Sequence, residues 1–422
     1  MLVRPLIALF ALCPVAAFPQ SQTAPSRPAL YASAQPPMQP AAEPAPVPNP
    51  TSQPAAPQPG VEPQPEPNPV SQPAPAPVIR TPPRPQAGAT SEPPSDKNRA
   101  GKTPSAKADN DRPVAATALR SAQLWHDPGN IAAMDLLYGQ GGRAGLPGAP
   151  FVFESEDIDG TTPKFDARDA KGRKWRVKLG VESRPEVVAS RLLWATGYYV
   201  NDDYVLESAV VSGIHMKRGS GEIKNGEVKD ARFARKPAGQ KKIGIWEWKE
   251  NPFVGTREFN GLRVMMAVMN NWDLKDVNNA VFEDETTGQH IFLVSDVGAT
   301  FGTNGLSWTH ARSKGNVGSF KDSKFIVKTS DTSVSFGTPK PPTARLIETL
   351  AIPELKDYAK RSDMQWIGKD IPRQDARWIG SLLKQLSHQQ IVDAFRAGHF
   401  PPDQIDAYVD LIESRIQELS AL

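Results

Sequence analysis

Cysteine is nearly absent from this chain, which has one, Cys13, in 422 residues. That excludes a disulfide framework and a thiolate metal site. From Pro19 to Pro94 there are 25 prolines in 76 residues and no tryptophan. A stretch so poor in large apolar groups cannot bury enough surface to offset the entropy of ordering its backbone. No glycine recurs there every third residue, so collagen is excluded as well. Beyond the first residues no run approaches 18 uninterrupted apolar residues, and no transmembrane helix is expected there. The formal charge of +3 is too small to argue by itself for a nucleic-acid partner. The six histidines are scattered, with no H-E-x-x-H, and there is no G-x-S-x-G elbow.

What is present divides the chain into three parts. Arg4 followed by an apolar run to Ala17, with Val15-Ala16-Ala17 as a small-residue cleavage site, reads as a signal peptide over residues 1–17. The expected location is therefore secreted or periplasmic. Leu12 before Cys13 argues against a lipid anchor. Residues 18–112 read as a disordered, proline-rich linker, largely polyproline II, suited to a spacer or to association with the cell envelope. Residues 113–422 hold all nine tryptophans, from Trp125 to Trp378, and read as the folded domain.

Within that domain Leu119 to Gly139 reads as a short helical entry, broken at Asp127-Pro128-Gly129. Phe151–Glu154, Phe165–Arg168 and the alternating run Lys174–Leu179 predict strands. A helix is expected from Ser183 to Gly197, with Ser183 and Glu186 at capping-box spacing and Gly197 as a left-handed stop. Tyr204–Leu206 and Ile243–Trp248 read as further strands. Between them, His215 to Lys242 carries nine Lys/Arg against three acids and reads as a solvated hairpin or loop, with an anionic contact open as an alternative. A single interleaved aromatic, Phe233, is weak support for nucleic acid, and none is expected as a partner.

A second helix is expected from about Thr256 to Met269. An asparagine-rich turn, Asn270 to Asn279, follows. Ala280–Glu283 and His290–Ser295 read as a hairpin around Gly288. From about Thr343 the pattern is helical, with Trp378, Leu382, Leu383 and Leu386 on one face, Ser387 and Gln390 as a capping box, and Asp403 as a cap of the last helix. Strands first and helices last give an α+β class in two lobes, about 151–255 and 256–422.

The hairpin carries the chemistry. Its first strand starts after Asn278 and its second ends before Asp296, so antiparallel pairing brings both to one open end. Asp273 lies in the turn at that end, with Asp276 and Asn279 as alternates one register away. Two carboxylates and an amide oxygen in one cleft suit Mg²⁺. Asp273-x4-Asn278 followed by Asp296-Val297-Gly298 resembles the catalytic loop and Asp-x-Gly motif of the protein-kinase-like fold. Val177-Lys178 on a strand resembles its nucleotide-binding lysine, and Glu186 sits where the partner glutamate belongs. Glu186 to Gly197 is similar to the corresponding helix of HipA-type kinases. Asn271-Trp272-Asp273 with Asn278 is nearer to HipA-type and spore-coat CotH-type kinases, and to phosphoinositide-kinase-like families, than to ordinary protein kinases. No His-Arg precedes Asp273, Val297 replaces the usual phenylalanine, and no glycine-rich loop precedes Lys178.

The resemblance implies a secreted bacterial-style atypical phosphotransferase acting with Mg²⁺ and ATP on an unknown protein or small-molecule acceptor. It implies metal ligands Asn278 and Asp296, phosphate contact by Lys178 oriented by Glu186, and Asp273 at the acceptor hydroxyl. An inactive kinase-fold binding module and an envelope-associated scaffold stay open, since an exported protein meets little ATP.

Overall fold

The structure is a computed structural model that describes residues 112–114, 121–160, 162–271, 273–302, 314–337 and 363–422. All of these fall in one compact unit, Ser95–Leu422. The expected signal peptide, the linker up to residue 111, Trp272, Trp308 and the start of the predicted helical region at Thr343 lie outside the described residues.

Among its described residues the entry segment forms no α-helix. It holds a short strand, β1 (Ala122–Gln123), and one 3-10 turn at Ile131–Ala133. The expected break at Asp127-Pro128-Gly129 is present, since the Asp127 carboxylate accepts from the Gly129 amide and Gly129 takes φ +68°. The helix expected on either side of it is replaced by that strand and 3-10 turn. A four-residue helix, α1 (Gly142–Gly145), leads into the sheet.

Strands β2 (Phe151–Asp157), β3 (Lys164–Arg168) and β4 (Lys174–Lys178) form an antiparallel meander. They are joined by β5 (Asp203–Ser212), β6 (Ile223–Lys224) and β7 (Glu227–Arg235) in the order β4-β3-β2-β5-β7-β6. β7 also pairs with β4, so five of these strands close into a barrel. Its interior is filled by Phe151, Phe165, Trp175, Val177, Tyr204 and Phe233. The basic segment does contain a hairpin, β6 with β7, and the correction is to its being solvated. Its middle is a barrel strand, because Val228, Ala231 and Phe233 are buried inside while charges point outward.

Helix α2 (Ser183–Ala195) lies against this barrel. It stops where Gly197 takes φ +89°, and a Cβ there would meet the His126 carbonyl at 2.2 Å. The predicted capping box does not form. Glu182 is the cap residue and makes no side-chain cap, while the Ser183 hydroxyl donates to the Lys178 carbonyl at 2.9 Å. Glu186 turns instead toward buried cations, which need a carboxylate more than a helix N–H does.

The second part begins with β8 (Gln240–Gly244), which ends earlier than predicted. Beyond it Trp246 and Trp248 turn into the core, and the Trp246 indole donates to the Leu293 carbonyl at 3.1 Å. Helix α3 (Arg257–Val268) is capped by Thr256. The predicted hairpin is β9 (Asn279–Asp284) and β10 (His290–Val294), in a sheet of order β1-β10-β9-β8.

Then come α4 (Val317–Lys321), β11 (Ile326–Thr329), β12 (Ser333–Phe336) and β13 (Ile371–Pro372), a small sheet the helical reading did not include. Helices α5 (Arg373–Leu383), α6 (His388–Ala397) and α7 (Pro402–Ser420) finish the chain. The Ser387–Gln390 capping box is formed, but Asp403 sits in the first turn of α7 and does not cap it. Phe259, Met265, Phe301, Phe395 and Tyr408 belong to the large core of this part. The class is α+β, strand-rich first and helical last. Among the described residues no helix is long and apolar enough to cross a membrane.

Trp175 is fully buried in the barrel, so Trp175→Ala is expected to destabilise the fold by about 3–5 kcal/mol. Urea unfolding followed by fluorescence measures this. A loss under about 1 kcal/mol would mean that the barrel is not closed around this ring.

Candidate functional site

Alternation along β4 sends Trp175 and Val177 into the barrel and leaves Arg176 and Lys178 on its outer surface. In register, Lys178 stands opposite Lys164 on β3 and Arg232 on β7. Three cations therefore form one row across three adjacent strands. Like charges directly opposite repel, so the row persists only with anions laid over it.

The ends of two other elements supply these anions. From the start of α2, Glu186 Oε2 lies 3.1 Å and Glu182 Oε2 2.7 Å from Lys178 Nζ. From the end of β10, Asp296 Oδ1 lies 2.6 Å from the same ammonium. Lys178 is 6 % exposed. Burial alone would lower its pKa, but Glu186, Asp296 and Glu182 more than reverse this and raise it. Asp296 is pushed up by burial, yet Lys178 holds it down at about 2. Its side chain keeps 47 % exposure, so it is an ionised carboxylate with one side open.

The hairpin closes as its register requires. Val294 pairs with Asn279, and the Ser295 amide and hydroxyl donate to the Asn278 carbonyl at 3.1 and 2.8 Å. Asp296 follows in the left-handed region, φ +55°, a conformation aspartate tolerates better than most residues. Gly298 packs against the start of α2, where a Cβ would lie 2.8 Å from Glu182 Cβ. The Asn278 side-chain amide donates to the Asp273 carbonyl at 2.7 Å, and Lys275 Nζ lies 3.3 Å from Asp273 Oδ1.

Lys178, Glu186 and Asp296 are therefore in direct contact. Asn278 is joined to them through Ser295, and Asp273 through Asn278. The alternates are engaged structurally. Asp276 accepts from the Trp248 amide at 2.9 Å, and buried Asn279 donates to the Trp246 carbonyl at 3.0 Å. Sequence reasoning missed Glu182, Lys164 and Arg232. Glu182 was signalled by its position four residues after Lys178, and Lys164 by the alternation of β3. Arg232 was hidden among the charges of the basic segment.

In place of a glycine-rich loop, the β2–β3 turn is held by Arg218. Its guanidinium donates to the carbonyls of Gly160 (2.5 Å), Asp157 (2.8 Å) and Asp159 (3.2 Å). Thr162, after that turn, donates to Glu182 at 3.2 Å. Lys314 also binds Glu182, and it lines a groove of about 640 Å³ with Gly180, Arg184, Lys229 and Phe400.

No family profile matches the chain, and no curated protein matches it. Among solved structures it is similar to the crystal structure of the Helicobacter pylori proinflammatory kinase CtkA. The identity is 12 % and the TM-score 0.30, over 64 % of this chain and 97 % of that one. That likeness is distant and assigns no residue, so any role must come from the ion-pair cluster itself.

Beneath α2, burial raises Asp203 to about 7 against the pull of Arg232 and Arg191. A carboxyl raised above its ordinary value of 3.8 stabilises the fold fully below that value. Its contribution is lost as the pH rises through about 7. Asp203→Asn keeps the neutral form at every pH. Its stability, from urea unfolding across this range, should therefore fall less with rising pH than that of the wild type. An unchanged slope would exclude Asp203 as the titrating group.

Proposed function

We propose that the cluster around Lys178 binds the phosphates of a nucleotide with Mg²⁺, and that the protein is an atypical kinase-like phosphotransferase with an unknown acceptor. The observation that carries this reading is the row Lys164–Lys178–Arg232 facing the half-open Asp296 carboxylate. Row and carboxylate together offer fixed positive charge beside a hard oxygen ligand.

The donor set fits Mg²⁺. Asp296 has an open side, and among the described residues the Asn278 side-chain oxygen accepts no hydrogen bond, its nitrogen being the atom that binds Asp273. Two such oxygens, with phosphate and water completing the shell, match the preference of this ion. When bound, the ion would supply charge neutralisation at the transferring phosphoryl group.

The chain's own residues do the rest. Lys178 exchanges a carboxylate for a phosphate oxygen while Glu186 keeps it oriented. Asp273 holds the acceptor hydroxyl and takes up its proton. Such catalysis works by positioning and charge, and it needs no thiol or histidine. The same proposal takes the expected signal peptide and linker to carry this activity to the cell envelope.

One observation favours the second reading, an inactive binding module. The Lys178 ammonium already has three carboxylates within 3.1 Å, and a phosphate must displace one of them. Isothermal titration of the full chain with ATP and Mg²⁺ tests the first reading. Binding is expected for the wild type and should weaken at least about tenfold, 1.4 kcal/mol, in Lys178→Met and Asp296→Asn. No heat from the wild type at millimolar nucleotide would sink it. Asp273→Ala should keep the affinity and abolish phosphate transfer. A binding module would retain its cellular role in that variant.

A further inference from the structure

We propose that Arg232 is a positioning residue for Lys178, acting through Glu186 and itself held by Asp203. The inference rests on the reading of Lys178 as the phosphate-contacting group, and it concerns how that group is kept in place.

The register creates the need. Arg232 is the direct cross-strand neighbour of Lys178, and both are 6 % exposed beneath α2. Two adjacent buried cations require a shared anion that is itself immobile. Glu186, 1 % exposed, meets this requirement by dividing its carboxylate. Oε2 faces Lys178 at 3.1 Å, and Oε1 accepts from Arg232 Nη1. If the Arg232 bond is lost, the carboxylate is free to rotate about its last torsion, and its hold on Lys178 has no fixed direction.

Arg232 is anchored in turn. Asp203, fully buried at the start of β5, lies 3.5 Å from Arg232 Nη1. The Ser190 hydroxyl donates to Asp203 Oδ2 at 3.2 Å, Arg191 Nη1 lies 3.6 Å from Oδ1, and Arg191 Nη2 donates to the Asp203 carbonyl at 2.6 Å. The chain Asp203–Arg232–Glu186–Lys178 therefore crosses from β5 through β7 to α2 and back to β4. Lysine at position 232 would supply the charge without the planar, multi-donor head that spans two carboxylates.

The test reads Lys178 directly, apart from any nucleotide. In the full chain labelled with ¹⁵N-lysine, a buried, ion-paired ammonium exchanges slowly and gives its own NMR resonance, assigned by its disappearance in Lys178→Met. In Arg232→Met that resonance should broaden or vanish, and the dissociation constant for ATP with Mg²⁺ should rise at least tenfold. Arg232→Lys should fall between the two. Far-UV circular dichroism reports whether each variant is folded. If Arg232→Met does not fold, Asp203→Asn loosens Arg232 while keeping its charge and should broaden the same resonance.

An unchanged Lys178 resonance with an affinity within twofold of wild type, in a folded Arg232→Met and in Asp203→Asn, overturns the proposal. A resonance lost in Arg232→Met while wild type binds no nucleotide upholds the positioning role and removes the nucleotide reading.

Discussion

Two cations stand side by side on the outer face of a small barrel, and a helix covers them both. Lys178 and Arg232 are nearly without solvent, so their charge must be met by carboxylates that cannot move away. The position of α2 follows from this requirement. Glu182 is its cap residue and Glu186 comes from its first turn, and Ser190 and Arg191, one turn later, reach Asp203 on β5. A seam of this kind is a poor source of net stability compared with apolar packing, yet removing one partner is expensive, about 3–5 kcal/mol for a buried pair. It therefore acts as a specifier of geometry more than as glue.

The same constraint explains the end of the hairpin. Asp296 enters the cluster from a part of the chain with its own core, and it does so in a left-handed backbone conformation. Gly298 then allows the chain to pass against α2. The two apolar cores are thus joined at the site by charge, and the open side of Asp296 remains toward solvent.

Much of this geometry was legible because it is local. Lys178 lies on a strand with strict alternation, Glu186 follows at the start of a helix with a clear glycine stop, and Asp296 ends a hairpin whose two strands are separated by a short turn. What was not legible depended on pairing at long range. Arg232 looks solvated among nine basic residues until β7 is seen between β4 and β5. The Ser183–Glu186 spacing suggested a capping box, but the buried cations claimed Glu186, and no local pattern can report that competition. The small sheet of β11 to β13 was missed for the same reason, since β13 lies far from its partners in sequence.

The closure of the barrel by β4 and β7 has a mechanical meaning. A strand hydrogen-bonded on both sides cannot slide along its neighbours without breaking both ladders at once. The backbone beneath Lys178 is therefore a fixed anvil, and the helix above it is held as firmly by its buried side chains. Any adjustment of the cluster to an incoming anion falls to the side chains of Glu182 and Asp296, whose single ion pairs with Lys178 can exchange one at a time.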